Sequence, residues 1–142
     1  MAMRKVTYRL YPNKRQLAEL ERHTELHRAL YNAALQERIE AYRKNGVSIS
    51  LGDQSASLTQ IRNEDPEFNR LPRKALVHTL ERLDRAFTKF FERNRAGLKG
   101  GFPRFKSKDR FKGFGFRVHR DGARFDPRED GPRGPNVHIW AS

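Results

Sequence analysis

Cysteine is absent from the 142-residue chain, which excludes a disulfide scaffold, a thiolate zinc site and a cysteine nucleophile. Long apolar runs are missing as well. No window approaches the ~18 consecutive apolar residues of a membrane-spanning helix, and the start, Met1 to Val6, offers no apolar stretch for a secretory signal. Acidic side chains are scarce: 17 Asp+Glu stand against 30 Lys+Arg, a formal net charge of +13. These absences lead us to expect a soluble, cytoplasmic, nucleoid-associated protein with no membrane partner. What is present is a set of 10 Phe, 4 Tyr and 1 Trp, enough aromatic bulk to fill a small core. So positive a chain calls for a polyanionic partner, DNA and/or RNA first among them.

Charge and composition divide the chain. Residues 1–94 hold 18 basic and 12 acidic side chains, whereas residues 95–142 hold 12 and 5, so a similar excess sits on about half the length. The first part reads as helical, the last as strand, loop and basic tail. Val6, Tyr8 and Leu10 alternate with Lys5, Thr7 and Arg9, the period of a half-buried strand over Arg4–Tyr11. Pro12 ends it, and Asn13 is a helix N-cap candidate before Leu17 and Leu20. A second helix is expected from about Thr24 to Lys44, with His27, Leu30, Tyr31, Ala34, Leu35, Ile39 and Tyr42 on one face and Asn45-Gly46 as its stop. A third is expected over about Leu51–Asn63, carrying Ala56, Leu58 and Ile61, and a fourth from Pro72, with Leu76, Leu80, Leu83, Phe87, Phe90 and Phe91 as its stripe. Beyond it Phe114, Phe116 and Val118 alternate as a strand, and Asp121-Gly122 signals a hairpin.

The fold class this implies is mostly α with a small β part (α+β). Its parts are an N-terminal strand (1–12), a helical bundle (13–96), a basic Phe-rich segment with a hairpin (97–126) and an irregular tail (127–142).

Residues 97–112 carry the chemistry. Lys99, Arg104, Lys106, Lys108, Arg110 and Lys112 are interleaved with Phe102, Phe105 and Phe111, and Asp109 is the one acid. Cations that track a phosphate backbone, alternating with rings, suit nucleic-acid contact. The phenylalanines themselves read first as core anchors that hold the segment to the helices, and second as stacking platforms. Arg73 and Lys74 form a second candidate contact, because two cations in a first helical turn oppose the helix dipole.

Four stretches occur in order: YRLYPNKRQLAEL, ALYNAALQERIEAY, LPRKALVHTLERLDRAFTKFF and GGFPRFKSKDRFKGFGFRV. Together they resemble the N-terminal part of the TnpB/OrfB proteins of bacterial insertion sequences, over about residues 4–126. The resemblance implies RNA-guided DNA endonucleases related to type V CRISPR effectors. In these proteins this region is a four-helix recognition lobe inserted into a wedge-like barrel, where it contacts guide RNA and the DNA motif beside the target. Many members have Ala-Leu-Gln where this chain has Ala75-Leu76-Val77, so a bidentate base contact is missing here. The family's RuvC-like nuclease domain and zinc ribbon have no counterpart in the 142 residues, and the ending DGPRGPNVHIWAS departs from the family pattern.

The expectation is therefore a truncated, transposase-associated protein that binds nucleic acid without cutting it and needs no cofactor. A stand-alone helix-turn-helix regulator is the alternative, as is one half of a split nuclease partnered by a separately encoded RuvC-like domain. His23 and His27, four apart, lack a third ligand and read as a pair at a helix junction rather than a metal site. The run Glu37, Arg38, Glu40, Arg43 and Lys44 reads as a solvated face.

Overall fold

The computed structural model describes residues 9–98, 100–115, 123–131 and 134–139, and in the last two stretches the backbone alone. The chain is mostly helical. The first helix, α1 (Lys14–Asn45), opens on a reciprocal cap: the Gln16 N–H donates to Asn13 Oδ1 at 2.8 Å, and the Asn13 N–H donates to Gln16 Oε1 at 3.0 Å. It closes on Gly46, whose φ of 63° is the left-handed cap position that glycine takes without strain. Where two helices are expected there is one. No glycine or proline lies between Lys14 and Asn45, and the Thr24 hydroxyl donates to the Leu20 carbonyl at 2.8 Å, an arrangement a continuous helix tolerates.

The second helix, α2 (Leu51–Glu64), carries a Ser50–Asp53 capping box, and Asp65 then caps the one-turn α3 (Pro66–Asn69). Proline at the first turn of α3 restarts the helix that Asp65-Pro66 was expected only to break. The fourth, α4 (Arg73–Arg95), follows Pro72 and ends in a Schellman turn. There the N–H groups of Gly97 and Leu98 donate to the carbonyls of Asn94 and Arg93, and Gly97 sits at φ 77°.

The core lies between α1 and α4. Leu26, Leu30, Tyr31, Ala34 and Leu35 face Leu76, Leu80, Leu83, Phe87 and Phe90, with Leu58 of α2 and Leu71 closing the side. Contacts rise in step along both helices: His27 meets Thr79, Arg38 meets Asp84, and Tyr42 meets Phe91. The two helices therefore run parallel, and the chain between them, which holds α2 and α3, carries it back to the starting end.

Two sequence expectations are corrected within the helices. Arg38, expected on a solvated face, is 5% exposed. Its Nε donates to Gln54 Oε1 at 2.7 Å, its Nη1 donates to Asp84 Oδ1 at 3.1 Å, and its guanidinium lies over the Phe87 ring at 5.2 Å. Gln54 passes the network on to the Ala34 carbonyl at 2.9 Å, so one cation joins α1, α2 and α4. Ala56, expected on the inner stripe of α2, is exposed, while Gln54 takes the buried place.

The expected wedge-like barrel is not formed among the described residues. Residues 9–12 are in no strand, and the rest of the expected strand lies outside the described residues. Phe114 and Gly115 are likewise in no strand, and Phe116, Val118 and the Asp121-Gly122 turn lie outside them too. Further along, β1 (Ala123–Gly131) pairs antiparallel with β2 (Gly134–Ile139), with Phe125 opposite Val137 and an irregularity between Asp126 and Asp130. No helix among the described residues is long and apolar enough to cross a membrane.

Leu83 is fully buried at the middle of α4, whereas Leu17, near the start of α1, is 46% exposed. Leu83→Ala should cost about 2–5 kcal/mol, and Leu17→Ala well under ~1 kcal/mol. Thermal unfolding of the two variants checks this, and equal effects would mean that the helix faces are misassigned.

Candidate nucleic-acid interface

After Gly97 the chain doubles back over the α1–α4 groove, antiparallel to both helices. Its anchors descend along α1 in order. Phe102 packs on Phe90 at 4.9 Å and edge-on to Tyr42 at 5.8 Å. Lys106 is held by Asn32, Phe111 lies tilted against Tyr31 at 5.9 Å, and Phe114 stacks on His27 at 4.6 Å with the rings 2° from parallel. Phe111 is 2% exposed, and Arg82 lies over its ring at 4.7 Å while donating to the Gly113 carbonyl at 2.7 Å. Three rings in a polar stretch are enough to strap it down.

The backbone is gripped at one point above all. The Asn32 amide takes a hydrogen bond from the Lys106 N–H at 2.8 Å and donates one to the Lys106 carbonyl at 2.9 Å. Arg28 adds a third bond to the same carbonyl at 3.2 Å, its guanidinium also paired with Glu25. That pairing holds the Glu25 carboxyl below its ordinary range, and the nearby charge of Lys108 works in the same direction. A turn then places the Arg110 and Phe111 N–H groups on the Ser107 carbonyl.

With the rings turned inward, the cations turn outward. Arg104, Lys108, Arg110 and Lys112 are all exposed, with Phe105 among them at 53%. Lys106 is half-buried because its backbone is the gripped one, and Lys99 lies outside the described residues. Of the strap's phenylalanines, then, Phe102 and Phe111 serve the core and Phe105 faces solvent. The strap is a ribbon of positive charge held on a rigid helical support, an arrangement that suits a phosphate backbone. Arg43, over the Phe102 ring at 5.1 Å, continues the charge onto α1.

The second candidate contact, at the start of α4, is engaged differently. Arg73 is exposed and its Nη2 donates to the Ser55 carbonyl at 2.9 Å, which fastens α4 to α2. Lys74 is exposed one turn before His78, and a Cβ on strap residue Gly115 would come within 2.9 Å of the His78 ring. Lys74 thus lies on the helix face that the end of the strap reaches. No side chain caps this helix, so its first-turn N–H groups and these two cations share one end. Val77, where the resembled family often has glutamine, packs against the core.

Sequence reasoning did not find Asn32, Arg28 or Arg82, whose partners lie 74, 78 and 31 residues away. Only the interruption of an apolar stripe by polar side chains could have drawn attention to them. His23 and His27 flank the strap's last anchor, Phe114. His27 is fully buried with Nδ1 2.6 Å from the Thr79 hydroxyl, and no group of three or more metal-ligating side chains is placed to hold an ion among the described residues.

Residues 1–47 match the family model of a helix-turn-helix domain of the OrfB/IS605 type. Over 106 residues the chain is 32% identical to a protein of Streptomyces pristinaespiralis named "Putative RNA-guided DNA endonuclease". The match takes in 71% of this chain and 24% of the relative, so the chain spans about a quarter of the length of the curated relative it matches. Within the 47 matched residues, α1 runs from Lys14 to Asn45 without a turn.

Burial, with the electrostatic influence of His23, Arg82 and His78 added to it, lowers the His27 pKa to about 3. His27 is therefore neutral in the fold, but gains a proton near pH ~6.5 once unfolded. Stability should hold above pH ~6.5 and fall by up to ~1.4 kcal/mol per pH unit below it, as the unfolded state takes up the proton first. Denaturant unfolding at pH 7 and pH 5 measures the slope. A His27→Phe variant that kept the full slope would show that another group is responsible.

Proposed function

We propose that this TnpB/OrfB-like chain binds nucleic acid through the outward cations of the strap, guide RNA and/or DNA being the ligand, and does not cleave it. The observation that carries the reading is the division of the strap: its rings lie in the groove between α1 and α4, and Arg104, Lys108, Arg110 and Lys112 stand on the solvent side. Arg73 and Lys74, at the α4 end that the strap approaches, extend the surface. The Streptomyces relative, named for acting on DNA under RNA guidance, supports a polyanionic partner for the part of it that this chain matches.

The charge balance supports binding rather than cutting. Cleavage with two metal ions needs several carboxylates to converge. Here Glu25 is paired with Arg28, Glu67 with Arg22 and Asp84 with Arg38, and no three acidic or histidine side chains converge to hold a metal ion among the described residues. A RuvC-like domain supplied by a separate chain would complete a nuclease. The reading as a stand-alone helix-turn-helix regulator is weaker, because α1 is unbroken across the matched residues.

A salt titration followed by fluorescence anisotropy tests the proposal. Replacing Arg104, Lys108, Arg110 and Lys112 with Ala should flatten the slope of log K against log salt by about 3. The helical melting curve should stay in place, since all four are exposed. A slope unchanged in the quadruple variant would put the contact surface elsewhere. With Mg²⁺ or Mn²⁺ present, the chain alone should leave single- and double-stranded DNA intact, and cutting by the purified protein would overturn the non-cleaving part of the proposal.

A further inference from the structure

The strap holds one aromatic ring that the core does not use, and the backbone on both sides of it is fixed. Pro103 sets φ two residues before Phe105, and on the other side the N–H and C=O of Lys106 are both bound by Asn32, with Arg28 as a third partner. Phe105 is 53% exposed and stacks on no other ring among the described residues. A single exposed phenylalanine on a free loop would need no explanation. Here an anchored backbone holds a flat apolar face toward solvent, between the exposed cations Arg104 and Lys108.

We propose that Phe105 is the stacking platform for one unpaired base of a single-stranded nucleic acid, presented by a backbone that Asn32 locks at the next residue. The inference rests on the nucleic-acid reading above and narrows its ligand. A phosphate backbone running along Arg104, Lys108 and Arg110 would bring its bases within reach of the ring, and a base stacks on any flat aromatic face. Bases in a duplex are already stacked on one another and keep their faces covered, so the ring selects unpaired strands. Because Pro103 and the Lys106 clamp have already ordered the backbone, little conformational freedom is left to lose on binding. Asn32 is a positioning residue here: it touches the strap and not the ligand.

The full chain is titrated by anisotropy with oligo-uridine RNA, oligo-thymidine DNA and a duplex, each of about 12 nucleotides or base pairs. Phe105→Leu should weaken single-strand binding about 5- to 100-fold, a stacking loss converted to affinity. Duplex affinity and the salt slope should not change, and Phe105→Trp should retain binding. Asn32→Ala should weaken single-strand binding in the same direction with the same salt slope, since no charge is removed. A loss confined to RNA or to DNA supports the platform and identifies its strand. Single-strand binding unchanged in Phe105→Leu overturns the platform, and so does an equal loss on the duplex or a wild type that binds duplex alone. A wild type that binds none of the three overturns the proposed function itself.

Discussion

The contact between α1 and α4 is a parallel one, with His27 facing Thr79 and Tyr42 facing Phe91, and a parallel pair cannot be joined by a short loop. The connection has to travel the length of the pair, and here it folds into α2 and α3 on the way. Two helices side by side also leave an apolar groove on each side. Leu58 and Leu71 cover one side, and the strap with Phe102, Phe111 and Phe114 covers the other. Burying those rings fixes the direction in which the residues between them point, so closing the core and displaying the cations are one event.

The polar contacts inside this arrangement are few and each joins distant parts. Arg38 gathers Gln54 and Asp84 around its guanidinium and rests on Phe87, so hydrogen bonds and a ring face meet the buried charge at Nε and Nη1. His27 accepts burial by staying neutral against Thr79 and Phe114. Asn32 replaces a strand partner for a single residue of the strap. Each of these side chains interrupts the apolar stripe of α1, at a place where a neighbouring element comes close.

Periodicity made the helices legible. The stripes of Leu30, Tyr31, Ala34 and Leu35 and of Leu76, Leu80, Leu83 and Phe87 are buried as their spacing implies, and the caps at Asn13 and Gly46 are where the residue types place them. The break expected near Thr24 had no glycine or proline behind it, and local signals without a breaker do not stop a helix. Arg38 was misread because a charged residue is assigned to solvent unless its partners are known, and Gln54 and Asp84 lie 16 and 46 residues away. The basic segment was legible as a composition, while the separation of Phe105 from Phe102 and Phe111 was not. That separation depends on which residues face the groove, a property of the assembled pair.

The distance along the chain between Asn32 and Lys106 bears on the order of synthesis. As the chain leaves the ribosome, α1 emerges first with its apolar stripe uncovered. α4 cannot cover the stripe until Leu76 and the residues after it have followed, and the strap cannot seal it until Phe111 is out as well. Contacts so far apart in sequence close slowly compared with a helix's own formation. The nascent protein therefore passes through a stage in which a long amphipathic helix stands without its partners, and the outward row of strap cations does not yet exist. Completion of the core and the outward display of the strap's cations coincide, and both wait for the same segment.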